Sequence, residues 1–327
     1  MHRCARNLRS SMSPTTPKGR AQLWTVTLLV AFCIWAANAG WAQAGCGSTI
    51  TKCGCTITAP GLYSVTPFGA KLDASQGLTS NGDCIDIAAK HVTLDLKNAT
   101  MTGAGSGDGI KILRVSDHAA VTRAFITGWN IGIEVSADHP DIWDIDVEKS
   151  AASGIVFNGV TNGNLWLLSS DEGGGAGVLL KDGGSPPRHS DGNHIFDSDF
   201  NGNSTGLKLS SASRNRIDDC FAFDNHDTGI GLGGSSNNNH LIFNGVGGAG
   251  EPGTPTIQNF GIFIASGSTG NVMGENDTRL GGPNLKFDGD DENGGCAGNT
   301  WFNNSSGSPP PAPAFTGNQP CVLIKDF

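Results

Sequence analysis

The 327-residue chain has little charge, few aromatic residues and no excess of basic residues. Charged residues make up only 16%, and 21 Lys and Arg stand against 30 Asp and Glu. This balance lacks the basic surface of nucleic-acid-binding proteins, so we expect no nucleic-acid partner. The hydrophobic share of 37% is too high for a disordered chain. Although 48 residues are glycine, they follow no three-residue period, which excludes a collagen helix.

No apolar stretch is long enough to favour a membrane anchor. The apolar residues 23–37 follow five basic residues and precede Ala-Gln-Ala at 42–44. This order predicts a signal peptide over residues 1–44, cleaved after Ala44, and a secreted or periplasmic protein without stable membrane insertion. A lipid anchor on Cys46 is the less favoured alternative, because Gln43 replaces the expected aliphatic residue. Cleavage leaves 16 basic and 30 acidic residues, a charge of −14, which repels acidic polymers unless cations or local basic loops intervene.

Seven cysteines remain after the predicted signal peptide, and export favours disulfides among them. The spacing leaves the connectivity open. We predict the pairs Cys46–Cys53, Cys55–Cys84 and Cys296–Cys321, which would hold both ends of the fold. Cys220 is left over inside an apolar strand pattern, where a buried, inert thiol is expected. Zinc binding by Cys53 and Cys55 is disfavoured, because no further His/Cys pair at zinc spacing accompanies them.

The middle of the chain is repetitive. Nine segments, each a turn residue followed by a short strand with apolar first and third side chains, begin at Cys84, Gly109, Gly132, Gly154, Gly177, Gly206, Gly229, Gly261 and Asn284. Their spacings of 25, 23, 22, 23, 29, 23, 32 and 23 residues indicate a solenoid. A second element puts Asn two places before an apolar residue, at Asn164, Asn193, Asn215, Asn239, Asn271 and Asn299. The two-residue alternation predicts two short strands per repeat, with a third between them.

These repeats resemble those of right-handed parallel β-helix proteins, the pectin-lyase-like superfamily, over roughly residues 80–305. The resemblance implies an all-β, single-stranded solenoid of about ten coils stacked about 4.8 Å apart. In such a stack, inward Asn side chains hydrogen-bond from coil to coil and satisfy turn backbone. We predict an N-terminal cap over residues 45–80, the β-helix over 81–305, a C-terminal tail or cap over 306–327, and a monomer.

One face of the predicted helix is bordered by two insertions, residues 181–192 and 245–259. In β-helix enzymes that act on polysaccharides, the substrate groove lies on one strand face between long loops, as the resemblance implies. Val156 and Leu179, at the centre of this face, either support a sugar ring or pack against a loop. The outward residues show no cluster of carboxylates, which counts against an active site here; they are Asp86, Lys111, Glu134, Val156, Leu179, Lys208, Gly231, Phe263 and Lys286.

The neighbouring face is richer in acid. Aligned on the Asn repeat, Asp197 and Asp219 fall at the same position in successive coils. Carboxylates so close would raise one pKa or bind Ca²⁺, and one protonated with one ionised carboxylate suits a glycosidase. We predict a catalytic site of Asp197, Asp199, Asp218 and Asp219, flanked by Arg188 and His189 from the first insertion. The alternative is ordinary solvated acidic surface.

A lyase or epimerase would instead need a base for the proton beside a uronate carboxylate, and a cation to neutralise that carboxylate. The candidates are Arg123, Arg188, Arg214, Arg216 and Arg279, with His139, His189 and His194. The segment 138–141, Asp-His-Pro-Asp, is similar to a motif of alginate C5-epimerases, but its order is scrambled. The motifs of polygalacturonases are absent. No family's catalytic set therefore transfers to this chain.

Three function classes remain. The first is an exported enzyme acting on a polysaccharide as a lyase, hydrolase or epimerase, with Ca²⁺ as the one cofactor considered. The second is a non-catalytic β-helix that binds a polysaccharide or a surface partner. The third resembles periplasmic β-helix proteins of copper-enzyme maturation, but four Met residues, two of them in the leader, offer copper little. Because fold does not fix function, the first two stay open.

Overall fold

A computed structural model describes residues 45–184, 186–247, 258–278, 285–293, 298–305, 315–316 and 322–324. The predicted signal peptide and the predicted pair Cys296–Cys321 lie outside the described residues. So do Arg279 and the side chain of Lys286. Within the described ranges, no helix has the length and apolar character needed to cross a membrane.

The described residues form 25 strands and one short 3₁₀ helix, Ala74–Gln76. In chain order the strands are β1 Thr49–Ile50, β2 Cys55–Ile57, β3 Gly61–Val65, β4 Lys71–Asp73, β5 Ile85–Ile87, β6 Val92–Thr102, β7 Asp108–Ile112, β8 Ala120–Thr127, β9 Ile131–Val135, β10 Asp141–Glu148, β11 Ser153–Asn158, β12 Asn164–Asp171 and β13 Ala176–Lys181. They continue with β14 His194–Asp199, β15 Thr205–Ser210, β16 Arg216–Phe223, β17 Thr228–Gly233, β18 His240–Ile242, β19 Gly245–Gly247, β20 Gln258–Ile264, β21 Val272–Gly274, β22 Leu285–Asp291, β23 Thr300–Asn304, β24 Phe315–Thr316 and β25 Val322–Ile324.

The strands form two long parallel sheets. Sheet A has the order β2-β5-β7-β9-β11-β13-β15-β17-β20-β22-β24. Sheet B has the order β1-β3-β6-β8-β10-β12-β14-β16-β18-β21-β23-β25, with β4 beside β6 and β19 beside β16. One sheet A strand and the sheet B strands that follow it make one coil. Ten such coils, numbered from β2 (coil 1) to β23 (end of coil 10), and an eleventh formed by β24 and β25 confirm the predicted all-β solenoid.

Sheet B bends within each coil, which divides it into a first and a second arm. From coil 3 onward the bend is a single residue in the left-handed region, for example Asp144 (φ 56°), Leu167 (51°), Asp197 (51°) and Asp219 (52°). Pairing between neighbouring strands is interrupted at this residue and continues after it. For example, Trp143 pairs with Trp166 before the bend, and Ile145 pairs with Leu168 after it. Each coil therefore has three sides: sheet A and the two arms of sheet B.

Like residues stack on like residues inside the coils. On sheet A the register places the following buried side chains in one column: Ile110, Ile133, Ile155, Val178, Leu207, Ile230 and Ile262. Each burial is worth about 1.5–3 kcal/mol before chain entropy is subtracted. The core is thus a set of continuous apolar columns running along the axis.

A column of glycines sets the close approach between coils at the start of each sheet A strand. Its members are Gly109, Gly132, Gly154, Gly177, Gly206, Gly229 and Gly261. A Cβ on any of the first six would lie 2.7 Å from the carbonyl oxygen of the next glycine. No side chain fits in that space, which explains the glycine of the sequence repeat.

Asparagine ladders line the corners, as the resemblance implied. At the corner before sheet B, Nδ2 of Asn215 donates to Oδ1 of Asn239 (3.1 Å), and Nδ2 of Asn239 donates to Oδ1 of Asn271 (3.0 Å). At the bend of sheet B, Asn244 donates to Asn276 in the same way (2.9 Å). The same side chains satisfy turn amides and carbonyls, so these Asn residues are structural.

Two disulfides hold the N-terminal end, but their pairing differs from the prediction. The bonds are Cys46–Cys55 and Cys53–Cys84, so the predicted Cys46–Cys53 and Cys55–Cys84 pairs are wrong. Residues 45–46 run beside β2, where the amide of Cys46 donates to the carbonyl of Thr56 (3.0 Å). Cys55 therefore meets Cys46, while coil 2 brings Cys84 against Cys53. Cys220 is a free, buried thiol, and burial raises its pKa.

Candidate functional site

Sheet A is the side of the coil whose edges carry the long connections. Residues 182–193 join β13 to β14 at one edge. At the other edge β19 ends at Gly247 and β20 begins at Gln258, and the rest of the second predicted insertion, residues 248–257, lies outside the described residues. The bend inside sheet B, by contrast, is a single residue. Because binding residues are commonly carried by loops beside a rigid scaffold, the outward face of sheet A is the candidate site.

A depression opens on this face over coils 7–9. The register aligns Lys208, Gly231 and Phe263 in successive coils, and Gly231 leaves a gap between the two side chains that flank it. The gap spans two coil spacings, about 9–10 Å. The resulting cavity has a volume of about 370 Å³; its lining includes Thr205, Lys208, Ser210, Asp227, Thr228, Gly231 and Phe263.

The lining combines one aromatic ring with polar groups. Phe263 packs against Phe260 with ring centroids 5.0 Å apart, so the ring is supported at the edge of the cavity. The carboxylate of Asp227 accepts from Nδ2 of Asn259 (2.9 Å) and Oγ1 of Thr228 (3.2 Å), which fixes its position. An apolar surface with a few oriented polar groups is typical of a small-molecule or sugar site.

The N-terminal end of the same face carries a buried charged group, the Lys111 cluster, formed by Asp83, Asp108, Lys111 and Glu134. Nζ of Lys111 forms ion pairs with Glu134 and with Oδ2 of Asp108 (3.1 Å), and lies 3.9 Å from Oδ2 of Asp83. Asp83 and Asp108 are only 2% and 4% exposed. Glu134 and Lys111 are half-buried and form the accessible side of the cluster.

Burial and hydrogen bonds separate the pKa values of two carboxyls in the Lys111 cluster. Burial raises the pKa of Asp108 to about 7, although Lys111 opposes the shift. Burial would also raise the pKa of Glu134, but hydrogen bonds with Lys111 and Asp108 outweigh it and lower that pKa. Below pH 7 the pair therefore holds mainly one protonated and one ionised carboxyl, a combination that suits acid–base chemistry.

Asp83 and Asp108 are not evident from the sequence repeat, because two-residue alternation assigns one outward residue to each short strand of sheet A. The chain bends at Gly109, where an added Cβ would meet the interior side chains of Ile126 and Trp129. Strict alternation therefore fails there, and Asp108 and Lys111 point to the same side, three residues apart. Between the cluster and the depression, Val156 is 1% exposed, which excludes it as a sugar platform.

The six catalytic residues predicted from sequence are spread around the coil. Asp197 and Asp219 occupy the bend of sheet B in successive coils, and Asp218 lies on the first arm and Asp199 on the second. Arg188 and His189 lie in the connection from β13 to β14, at a different corner. Their joint catalytic role stays a prediction.

Most of these predicted side chains form ion pairs or hydrogen bonds with neighbouring residues. Asp218 accepts from Nε2 of His194 (2.9 Å) and pairs with Arg216. Arg188 pairs with Asp138, and Nδ1 of His189 lies 2.8 Å from Oδ1 of Asp182, which raises the pKa of His189. Two further described arginine–carboxylate pairs involve arginines considered for a lyase: Arg123–Asp95 and Arg214–Asp191.

The acidic surface of the second arm holds no metal site in the described part of the chain. Partial burial and the charge of Asp171 raise the pKa values of Asp146 and Asp199. Ser169 separates these two carboxylates in the register. Among the described residues, no three His, Cys, Asp or Glu side chains are placed to share a metal ion.

An aromatic stack on the first arm of sheet B does not present open ring faces to a sugar. Trp143, Trp166 and Phe196 lie in successive coils, with centroids 5.1 and 5.8 Å apart and nearly parallel planes. Each ring covers the face of its neighbour, so mainly ring edges reach solvent. Sugars stack on ring faces, which makes this ladder a packing feature.

Several solved structures share this fold at low sequence identity. The A-module of mannuronan C-5 epimerase AlgE6 from Azotobacter vinelandii is 11% identical, with a TM-score of 0.55 over 90% of both chains. A double mutant of the periplasmic alginate epimerase AlgG is 13% identical, with a TM-score of 0.53 over 83% of this chain and 65% of that one. The Dettilon tailspike protein is 12% identical, with a TM-score of 0.53 over 84% of this chain and 60% of that one. The present chain thus spans less than two thirds of the latter two.

No protein-family model and no curated protein sequence matches the chain. At such low identities the structural likeness concerns the fold alone. The two parallel sheets, the stacked coils and the structural matches all agree with the repeat pattern. The chain is a right-handed parallel β-helix protein.

Proposed function

We propose that this protein is exported and binds a polysaccharide along the outward face of sheet A. The observation that carries the proposal is the cavity of about 370 Å³ between Lys208 and Phe263, floored by Gly231. Two proteins of the same fold are named as epimerases of alginate or mannuronan, which are polysaccharides.

The chemistry of the depression suits a sugar ring. Phe263 offers an apolar surface for the C–H face of a pyranose, worth about 0.5–1.5 kcal/mol beyond its area burial in aromatic contacts generally. Hydroxyls of Thr205, Ser210 and Thr228 and the carboxylate of Asp227 line the same space and match sugar hydroxyls. Export is supported by the predicted signal peptide and by the two disulfides.

The test is affinity electrophoresis of the protein in gels containing neutral or acidic polysaccharides. Phe263→Ala is expected to weaken retention by a bound polymer about tenfold, because the stacking surface is lost. Phe125→Ala is the matched control, since Phe125 is a half-buried ring at an outward position of sheet B. Equal loss in both variants, or retention by no polymer, would contradict binding on sheet A.

A second function, chemical modification of the bound polymer, is supported by the Lys111 cluster. Asp108 and Glu134 carry oppositely shifted pKa values on the same face as the depression. In this scheme ionised Glu134, on the accessible side of the cluster, is the base, Lys111 keeps it ionised, and protonated Asp108 buried behind them supplies the proton. The predicted site of Asp197, Asp199, Asp218, Asp219, Arg188 and His189 is the alternative location.

Mass spectrometry of polymers after incubation separates these locations. Unsaturated products indicate a lyase, and saturated, shortened products indicate a hydrolase. Loss of product with Asp108→Asn but not with Asp219→Asn supports catalysis at the Lys111 cluster. The reverse supports the bend of sheet B. Epimerisation leaves the mass unchanged, so a polymer that still binds supports a purely binding protein only if its NMR spectrum is unchanged as well.

A further inference from the structure

Lys208 is the basic residue in the lining of the depression, and it differs from two basic residues elsewhere on and around the proposed binding face. Lys111 is neutralised inside its cluster, and Arg188 is paired with Asp138. Lys208 is exposed, lines the depression, and makes no ion pair with any residue in the described part of the chain. An unpaired ammonium at the wall of a cavity is available to a ligand.

We infer that Lys208 selects a polymer whose sugar unit in the depression carries one negative charge, as a carboxylate or a sulfate ester. This inference rests on the proposed function of the face. The ring of that unit lies against Phe263 and its anionic group reaches Nζ of Lys208 across the Gly231 floor. A lysine is a compact point charge on a flexible stem, so it accepts either anion without a fixed two-pronged geometry.

The net negative charge of the chain makes binding of an anionic polymer depend on Lys208. The chain after the predicted signal peptide carries 16 basic and 30 acidic residues, so its average field repels an anionic polymer. A local cation is then needed to hold an anionic unit, and repulsion elsewhere keeps that unit at Lys208. Asp227 lies in the same lining but is held by Asn259 and Thr228, where it accepts a neutral sugar hydroxyl.

The experiment compares polymers that differ only in charge. Polygalacturonate is tested against its methyl ester, and dextran sulfate against dextran, by affinity electrophoresis at low salt. The wild type is expected to bind at least one anionic polymer about tenfold more tightly than its neutral counterpart, the usual size of a charge-assisted hydrogen bond. The polymer pair that shows the preference identifies the bound anion as carboxylate or sulfate.

Variants assign the preference to one residue. Lys208→Gln is expected to abolish the preference, and Lys208→Arg to retain most of it. Lys149→Gln removes the same charge from sheet B, where Lys149 lies near Glu148 and Glu172, and is expected to leave the preference unchanged. Salt should weaken binding of the anionic polymer by the wild type more than by Lys208→Gln.

Two outcomes overturn the inference. If Lys208→Gln keeps the anionic preference while Phe263→Ala loses binding, the depression binds sugar but Lys208 does not choose it, and the proposed function stands. If neither anionic nor neutral polymers bind the wild type, the proposed function and the inference fail together.

Discussion

Cys220 and Asn244 occupy the same corner position in successive coils, and their side chains point at equivalent backbone oxygens. Nδ2 of Asn244 donates to the carbonyl of Ile217 at 3.0 Å, and Sγ of Cys220 lies 3.7 Å from the carbonyl of Ile195. The amide of Cys220 donates to Oδ1 of Asn244 at 3.0 Å, as the amide of Asn244 does to the following Asn276. The cysteine therefore stands where an asparagine would lengthen the ladder by one member.

Cys220→Asn is expected to stabilise the protein by about 1 kcal/mol, because a side-chain amide makes stronger hydrogen bonds than a thiol. Urea denaturation at pH 7 measures the change. Cys220→Ala, which removes the thiol without supplying an amide, should destabilise. A Cys220→Asn variant less stable than Cys220→Ala would show that the corner cannot accept a further ladder member.

Leu167 holds a left-handed conformation (φ 51°) at the bend of sheet B while its side chain is 52% exposed. This conformation costs an ordinary L-residue about 1–2 kcal/mol, and Asn tolerates it better. Leu167→Asn should therefore raise the free energy of unfolding by about 1 kcal/mol. Leu62→Asn is the control, because Leu62 is even more exposed (67%) but lies in β3. A similar gain in both variants would point to lost surface hydrophobicity instead.

The two disulfides should contribute unequally. Cys53–Cys84 closes 31 residues of sequence separation and Cys46–Cys55 only 9. On chain entropy, loss of the first costs about 3–4 kcal/mol and loss of the second about 2–3 kcal/mol. Denaturation of the Cys53→Ser/Cys84→Ser and Cys46→Ser/Cys55→Ser proteins measures the difference. Peptide mapping without reduction checks the pairing, and a Cys46–Cys53 peptide would contradict it.

Stability should depend on pH through Asp108. Its pKa is raised to about 7, so the folded state holds this proton more tightly than the unfolded state. The associated stability is present below about pH 4 and is lost as the pH rises through 7, an effect on the order of 1–3 kcal/mol. Glu134 has a lowered pKa and acts in the opposite sense, because its contribution is lost at acidic pH.

Asp108→Asn is therefore expected to flatten the decline in stability between pH 4.5 and 7.5. Asp144→Asn serves as control, since Asp144 is an exposed residue at the bend and Asn tolerates its φ of 56°. Denaturation at several pH values gives the slopes. An unchanged slope for Asp108→Asn would place the titrating group elsewhere.

The sequence predicted the fold because each residue type that recurs in the repeat makes the same packing contact in every coil. Gly109 and Gly132 recur since each must admit the next coil, and Asn215 and Asn239 recur since each satisfies a corner. The Lys111 cluster could not be predicted in this way. Its carboxylates come together only because the strand bends at Gly109, and alternation does not encode a bend.

The depression could not be predicted from the sequence of any single strand either. Lys208, Gly231 and Phe263 were assigned to one face, but Gly231 becomes a cavity floor only through its longer neighbours in the adjacent coils. The disulfide pairing failed for a similar reason. Cys84 reaches Cys53 through the stacking of coil 2 on coil 1, which proximity in sequence does not reveal.

The glycine column gives the molecule the character of a one-dimensional crystal. Six successive interfaces share one contact, a Cα against a carbonyl oxygen with no room for a methyl group. An alanine at Gly177 would thus act as a stacking fault, in which the coils on either side must tilt or separate. Because hydrogen bonds in both sheets cross the same plane, such a fault would divide the stack of coils into two shorter blocks.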